Sequence, residues 1–307
     1  MIAAAISILI VNWNTRELVL QCLDSLPDEV DGAACEVIVV DNGSTDGSAE
    51  ALAERPEIEL IRNSSNLGFA AAVNQAYQHS RGEFVLLLNS DVDLEQDTLS
   101  SLLGFLIEHP AAAGAAPLYV NPDGSPQPFH FRLPTFTMTL ANGSAAVRFL
   151  LPGTKQLLRE YRMLDEDFSQ PRPVPQPSAS CLLLRRSVLP DDHIFDERYP
   201  IFFNDVQLAR SIGERGLTLW VTPDATVVHE AHASTRKLGR AGKRQYLGSV
   251  VRMLSETEPP LKVWLYRAVI LLQHIPSWVL NRSGTLGFAD LRKALSGDVG
   301  PLPSAPR

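Results

Sequence analysis

The chain has 307 residues, 45% of them hydrophobic and 20% charged, enough to bury one large core with a modest appendage. A formal charge of −8 supplies no general field for nucleic acid, so a polyanionic ligand would have to be held by local chemistry. The three cysteines, Cys22, Cys35 and Cys181, are scattered and show no C-x-x-C spacing, which argues against a disulfide framework or structural zinc and fits a reducing cytoplasm.

Residues 1–11 are apolar but lack a basic flank or a cleavage site and are too short to span a bilayer, so they predict a buried strand. Asn14 then offers a helix cap, with Glu17 at the reciprocal capping position and Leu18, Val19, Cys22, Leu23 and Leu26 as the apolar stripe. Residues 37–40 repeat the buried-strand pattern, followed by a short helix near 49–54 and a short strand at 58–61. The alanine-rich stretch 69–77 predicts a helix and 84–88 a central strand. Leu99, Leu102, Leu103, Leu106 and Ile107 mark one helix face that ends at Pro110. This alternation predicts an α/β fold with a mostly parallel sheet flanked by helices.

From 117 to 177 the periodicity fades and prolines multiply, which predicts a long excursion with little regular structure, either facing substrate or without function. Order returns at 180–185, then with a helix at 202–215 and short strands at 218–221 and 225–229. Residues 261–280 are strongly apolar, yet Lys262, Arg267, Gln273 and His274 interrupt them and Pro276 would break a helix. Packing against the main domain is the first expectation for that segment, and a helix lying on a membrane surface the second. Residues 300–307 are Pro-rich and predicted to fray.

In an open α/β sheet, ligands bind beyond the carboxyl ends of the strands. Three such ends are polar here: Asn12-Trp13-Asn14, Asp41-Asn42, and Asn89-Ser90-Asp91-Val92-Asp93. No glycine-rich phosphate loop accompanies them. Asp91 and Asp93 could instead direct hard oxygen ligands at Mg²⁺ or Mn²⁺, which completes its shell with waters and substrate phosphates. Taken alone a D-x-D pair is most often a solvated turn, and its position at a strand end is what raises its interest. Asp41 suits a tight turn or a nucleobase or ribose contact. His229 is either a structural histidine or a third metal ligand. Asp205, beside Phe202 and Phe203, is either a helix cap or a base with a raised pKa.

The ordered runs 8–14 (ILIVNWN), 37–47 (VIVVDNGSTDG), 66–69 (NLGF) with Asn74, and 86–93 (LLLNSDVD), continued by 184–187, 195–197, Asp205, Arg210, Gly216 and Val228-His229, resemble the motifs of glycosyltransferase family 2, especially its bacterial rhamnosyltransferase-like branch. The similarity spans roughly residues 5–236. It implies a GT-A fold over 1–236, with 1–116 the nucleotide-binding half and 117–236 the acceptor and metal half, and a helical extension with a disordered tail over 237–307. It also implies a cytoplasmic enzyme at the inner face of the membrane, passing a sugar with inversion from a nucleotide diphosphate donor to a glycan or lipid-linked acceptor, with dTDP-rhamnose the first donor to consider and a UDP-sugar the second.

In that scheme Asn12, Asn14, Asp41, Asn66, Gly68, Asn74 and Asp91 hold the donor, Asp91, Asp93 and His229 hold Mg²⁺ or Mn²⁺, and Asp205 is the catalytic base. The chain departs from the family at Asn204 and Gln207, where carboxylates are usual, at 178–180, where a glycine is expected, and at His193 and Ile194. A degenerate relative that binds a nucleotide sugar or glycan without turnover is therefore the alternative. A nucleotidyltransferase is disfavoured by the missing glycine loop.

Overall fold

The computed structural model describes residues 6–231, 233–279 and 286–302. The first half alternates strand and helix: β1 (Ile6–Asn12), α1 (Arg16–Asp24), β2 (Glu29–Val30), β3 (Ala33–Asp41), α2 (Ser48–Ala53), β4 (Ile58–Arg62), α3 (Phe69–His79), β5 (Phe84–Asn89), β6 (Val92–Leu94) and α4 (Thr98–Glu108). β7 (Ala112–Val120) follows, then α5 (Phe136–Gly143), α6 (Ala145–Leu150), α7 (Thr154–Tyr161), β8 (Arg172–Pro173), β9 (Cys181–Arg185), α8 (Asn204–Glu214) and β10 (Thr218–His229). The chain closes with α9 (Gly239–Thr257), α10 (Pro260–Val279) and α11 (Phe288–Leu295).

β4, β3, β1 and β5 are parallel, as alternation predicts. Beyond β5 the sheet is mixed: β9 runs antiparallel between β5 and β7, β10 is parallel to β7, and β6 is antiparallel to β10. The expectation of a mostly parallel sheet holds for the nucleotide-binding half and gives way where the chain returns. Both faces are covered, because successive side chains of a strand alternate. Ile8, Ile10, Leu86 and Leu88 pack with Val19, Cys22, Leu102 and Leu106 of α1 and α4. Leu9, Val40, Val85 and Leu87 pack with Val73 and Tyr77 of α3 and Leu208 and Ile212 of α8. Each such fully buried aliphatic side chain contributes about 1.5–3 kcal/mol.

Several local expectations are corrected. α1 begins after Thr15 with no side-chain cap, and Asn14 sits at φ 56 with its side chain bonded elsewhere. β7 crosses the expected boundary at residue 116 and was hidden by its Ala-Gly composition. Small residues are required there: a Cβ on Gly114 would lie 2.7 Å from Leu184 Cδ2 and 2.8 Å from the Leu183 carbonyl oxygen. The Pro-rich excursion carries α5, α6 and α7. The two short strands expected at 218–229 are one strand with a register shift between Val221 and Thr226.

α10 continues through Pro276 to Val279; position 280, residues 303–307, for which fraying is predicted, and residues 1–5, at which the predicted strand begins, fall outside the described residues. Among the described residues no helix is long and apolar enough to cross a membrane. All three cysteines are free, and Cys22 and Cys181 are buried.

Candidate functional site

A cavity of ≈ 390 Å³ opens at the carboxyl ends of β1, β3 and β5, where polar residues replace the apolar strand interiors. Its walls include Trp13, Asn42, Asn66, Ser90, Asp91, Ser178, Ser180, Asp205 and His229, together with Phe129, Phe131, Tyr161 and Tyr246. Of the residues singled out in the sequence, it brings together Asn66, Asp91, Asp205 and His229.

Asp91 and His229 meet because the short strand β6 pairs antiparallel with the end of β10, setting Val92 opposite His229. His229 Nε2 lies 3.6 Å from Asp91 Oδ1, and both side chains are buried. The backbone beyond His229 closes over the same carboxylate, with Ala233 N–H donating to Asp91 Oδ2 at 3.3 Å. Asp93 is set apart from this pair. Val92 and Leu94 point into the core, so the alternate residue Asp93 faces α1, where it accepts a hydrogen bond from Gln21. Burial pushes its carboxyl up, with the charges of Glu230 and Asp91 adding to the shift and the Gln21 bond opposing it.

Among the described residues no group of three or more His, Cys, Asp or Glu is disposed to hold a metal. Asp91 and His229 nevertheless present a fitting pair of ligands. Gln127 Nε2 donates to Asn121 Oδ1 (2.8 Å) and to the His229 carbonyl (3.1 Å), which turns Gln127 Oε1 toward His229 Nδ1 at 2.7 Å. Nδ1 therefore carries a proton, which in the neutral ring leaves the Nε2 lone pair facing a carboxylate oxygen. In that form the two side chains suit a divalent cation as a pair of ligands. Gln127 was not legible in the sequence, since it lies in the irregular excursion.

Asp205, the second residue of α8, is partly buried in the cavity wall. Burial raises its carboxyl pKa, while hydrogen bonds from Val206 N–H (2.8 Å) and Gln176 Nε2 (3.0 Å) pull the other way. Gln176, also missed in the sequence, is brought there by its bridge to Phe131, and its buried Oε1 has no partner. The unusual Asn204 bonds the Ile201 carbonyl at 3.1 Å, and Gln207 faces Glu256 of α9 rather than the cavity. The departures that favoured a non-catalytic binder thus leave Asp205 in place.

Asn12, Asn14 and Asp41 form a scaffold that stops short of the cavity wall. Asp41 accepts from Asn12 Nδ2 (2.9 Å) and Ser44 N–H (3.0 Å), and Asn14 Oδ1 accepts from Thr45 N–H (2.8 Å). Thr15 joins Asn12 to Ser90 through bonds of 2.7 and 3.0 Å. Asn42, which does line the cavity, donates to Asn66 Oδ1 and to the Gly68 carbonyl, each at 3.1 Å. Gly68 itself has φ +99 and lies where a Cβ would come within 2.9 Å of Pro200, so its role is backbone approach.

Asn74 does not reach the cavity. Its Oδ1 accepts from Ile194 N–H (2.9 Å) and Phe195 N–H (3.0 Å), and its Nδ2 donates to the Phe195 carbonyl (2.9 Å) and Glu197 (3.0 Å), making it a strut for that loop.

Comparison with known proteins accords with this arrangement. An N-acetylglucosaminyl-diphospho-decaprenol L-rhamnosyltransferase of Mycobacterium tuberculosis H37Rv is 31% identical over 256 residues, covering 78% of this chain and 82% of the relative. In fold the chain is similar to the mannosyltransferase PcManGT of Pyrobaculum calidifontis, solved with GDP-Man and Mn²⁺, at a TM-score of 0.52 and 16% identity over 95% of this chain and 85% of that one. GalNAc-T7, solved with UDP, GalNAc and Mn²⁺, aligns at a TM-score of 0.51 and 15% identity, over 74% of this chain and 44% of that one. The fold is GT-A. The sequence profile "Glycosyl transferase family 2" matches residues 7–191, the span holding the scaffold asparagines, Asp41 and Asp91, and with it this chain belongs to glycosyl transferase family 2.

Proposed function

We propose that the chain moves a deoxyhexose, dTDP-rhamnose being the first donor and a UDP-sugar the second, onto a hydroxyl of a lipid-linked glycan at the inner face of a membrane, with inversion. The mycobacterial relative's name supports both the sugar and the lipid-linked acceptor. The observation that carries the reading is the placement of a partly buried carboxylate, Asp205, in the same cavity as Asp91 and His229. Asp205 takes the proton from the attacking hydroxyl, and its raised pKa makes it a better base than a solvated aspartate.

The nucleoside rests against Trp13, Asn42 and Asn66, on a loop that Asp41 and Asn12 hold in shape. Asp91 and His229 would hold Mn²⁺ or Mg²⁺, with Asp93 recruited only if it leaves Gln21. The cation supplies positive charge that offsets the charge developing on the leaving diphosphate. Aromatic side chains of Phe129, Phe131 and Tyr161 exclude water from the acceptor side.

A thermal-shift panel of nucleotide sugars with and without Mn²⁺ tests this reading, since a ligand that binds only the native state raises its melting temperature in step with affinity. A Mn²⁺-dependent rise with dTDP-rhamnose is the expected result. Absence of any metal-dependent rise across the panel overturns it.

A further inference from the structure

α10 is apolar on two opposite sides, and among the described residues only one is covered. Val263, Tyr266 and Ile270 pack into the core shared with α9 and α11. On the opposite side Leu261, Trp264, Leu265, Leu271, Leu272 and Ile275 recur at helical spacing and are exposed, Trp264 by 65% and Leu272 by 63%. Gln273 of α10 fixes the helix against the end of α5 by donating to the Gly143 carbonyl at 2.9 Å. An apolar face of this extent is a contact surface.

Charge indicates what it contacts. Residues 231–275 hold eight Lys and Arg against two Asp and Glu, whereas the rest of the chain holds nineteen against thirty-three. The basic run Arg236, Lys237, Arg240, Lys243 begins immediately beside the cavity, which Leu238 and Tyr246 help to line. Tyr246 is joined in turn to α5 by Asn142 Nδ2 at 3.1 Å. An acidic protein has therefore gathered its cations in the stretch of chain that carries its exposed apolar helix and begins beside the mouth of its site.

We infer that the exposed face of α10 docks on an anionic lipid bilayer. The apolar side chains enter the headgroup boundary, Trp264 sits at the interface where an amphipathic ring is favoured, and the exposed Arg236 and Arg240 hold the lipid phosphates. The inference rests on the lipid-linked acceptor proposed above and names the surface that brings the cavity to it.

Co-sedimentation of the full chain with vesicles of phosphatidylcholine alone or mixed with phosphatidylglycerol, without donor or acceptor, tests it. The wild type is expected to bind the anionic vesicles and to weaken with salt. Trp264→Glu/Leu272→Glu should lower binding roughly tenfold or more, with an unchanged melting curve and unchanged transfer to a water-soluble acceptor. Arg240→Glu should weaken binding to the anionic vesicles only. Equal vesicle binding by the double variant and the wild type overturns the docking face. So does a wild-type dimer that the double variant converts to monomer, because a second copy would then cover α10. Vesicle binding that stays sensitive to these variants in a protein that transfers no sugar sinks the proposed reaction and leaves the docking face standing.

Discussion

Gln127 Oε1 accepts the Nδ1 proton of His229 at 2.7 Å, and the opposite ring nitrogen faces Asp91 Oδ1 at 3.6 Å. One amide from the irregular excursion thus orients the histidine that ends β10. Gln127→Leu removes that anchor. Calorimetric affinity for Mn²⁺ in the presence of nucleotide is expected to fall about 10- to 100-fold, with affinity for metal-free nucleotide unchanged. Unaltered Mn²⁺ affinity would show that the ring is oriented by packing alone.

Asp205→Asn keeps the shape of the side chain and removes the base. Donor consumption should drop by about two or more orders of magnitude while nucleotide still binds. The same change should affect stability in the opposite sense. A carboxyl whose pKa is raised in the folded state costs stability once it ionises, so the variant should melt above the wild type at pH 8. The difference should shrink as pH falls through the raised pKa. Calorimetric melting at both ends of that range checks the sign.

Asn74→Ala separates a strut from a ligand. Two buried N–H groups, of Ile194 and Phe195, lose their acceptor, at a cost on the order of 3 kcal/mol. Urea denaturation should register that loss, while KM for the donor in the folded protein stays near its wild-type value. A large rise in KM with normal stability would return Asn74 to the donor site.

Gly114→Ala tests the close approach of β7 to β9. The added Cβ meets Leu184 and the Leu183 carbonyl below 3.0 Å, and a loss of about 1–3 kcal/mol is expected, read as a lower melting temperature.

The sequence made legible whatever depends on continuous apolar runs and on the polar residues that end them. β1, β3 and β5 are such runs, so their ends, and with them Asp91 and the Asn12–Asp41 scaffold, could be located. β7 escaped because its alanines and glycine answer to packing against β9 rather than to strand propensity. Gln127 and Gln176 escaped because an amide in a Pro-rich stretch carries no periodic signal; only the folded excursion shows that each touches a functional side chain. The D-x-D spacing suggested two carboxylates aimed together. Strand alternation on β6, anchored by Val92 and Leu94, sends the second of them to Gln21.

The position of β9 bears on how the molecule is made. It pairs with β5 along Phe84–Leu88, yet it is translated almost a hundred residues later. Until residues 181–185 leave the ribosome, the most apolar strand of the nascent protein presents an unpaired hydrogen-bonding edge, open to any other extended chain. Synthesis halted within the intervening excursion would thus release an adhesive fragment rather than a smaller working protein.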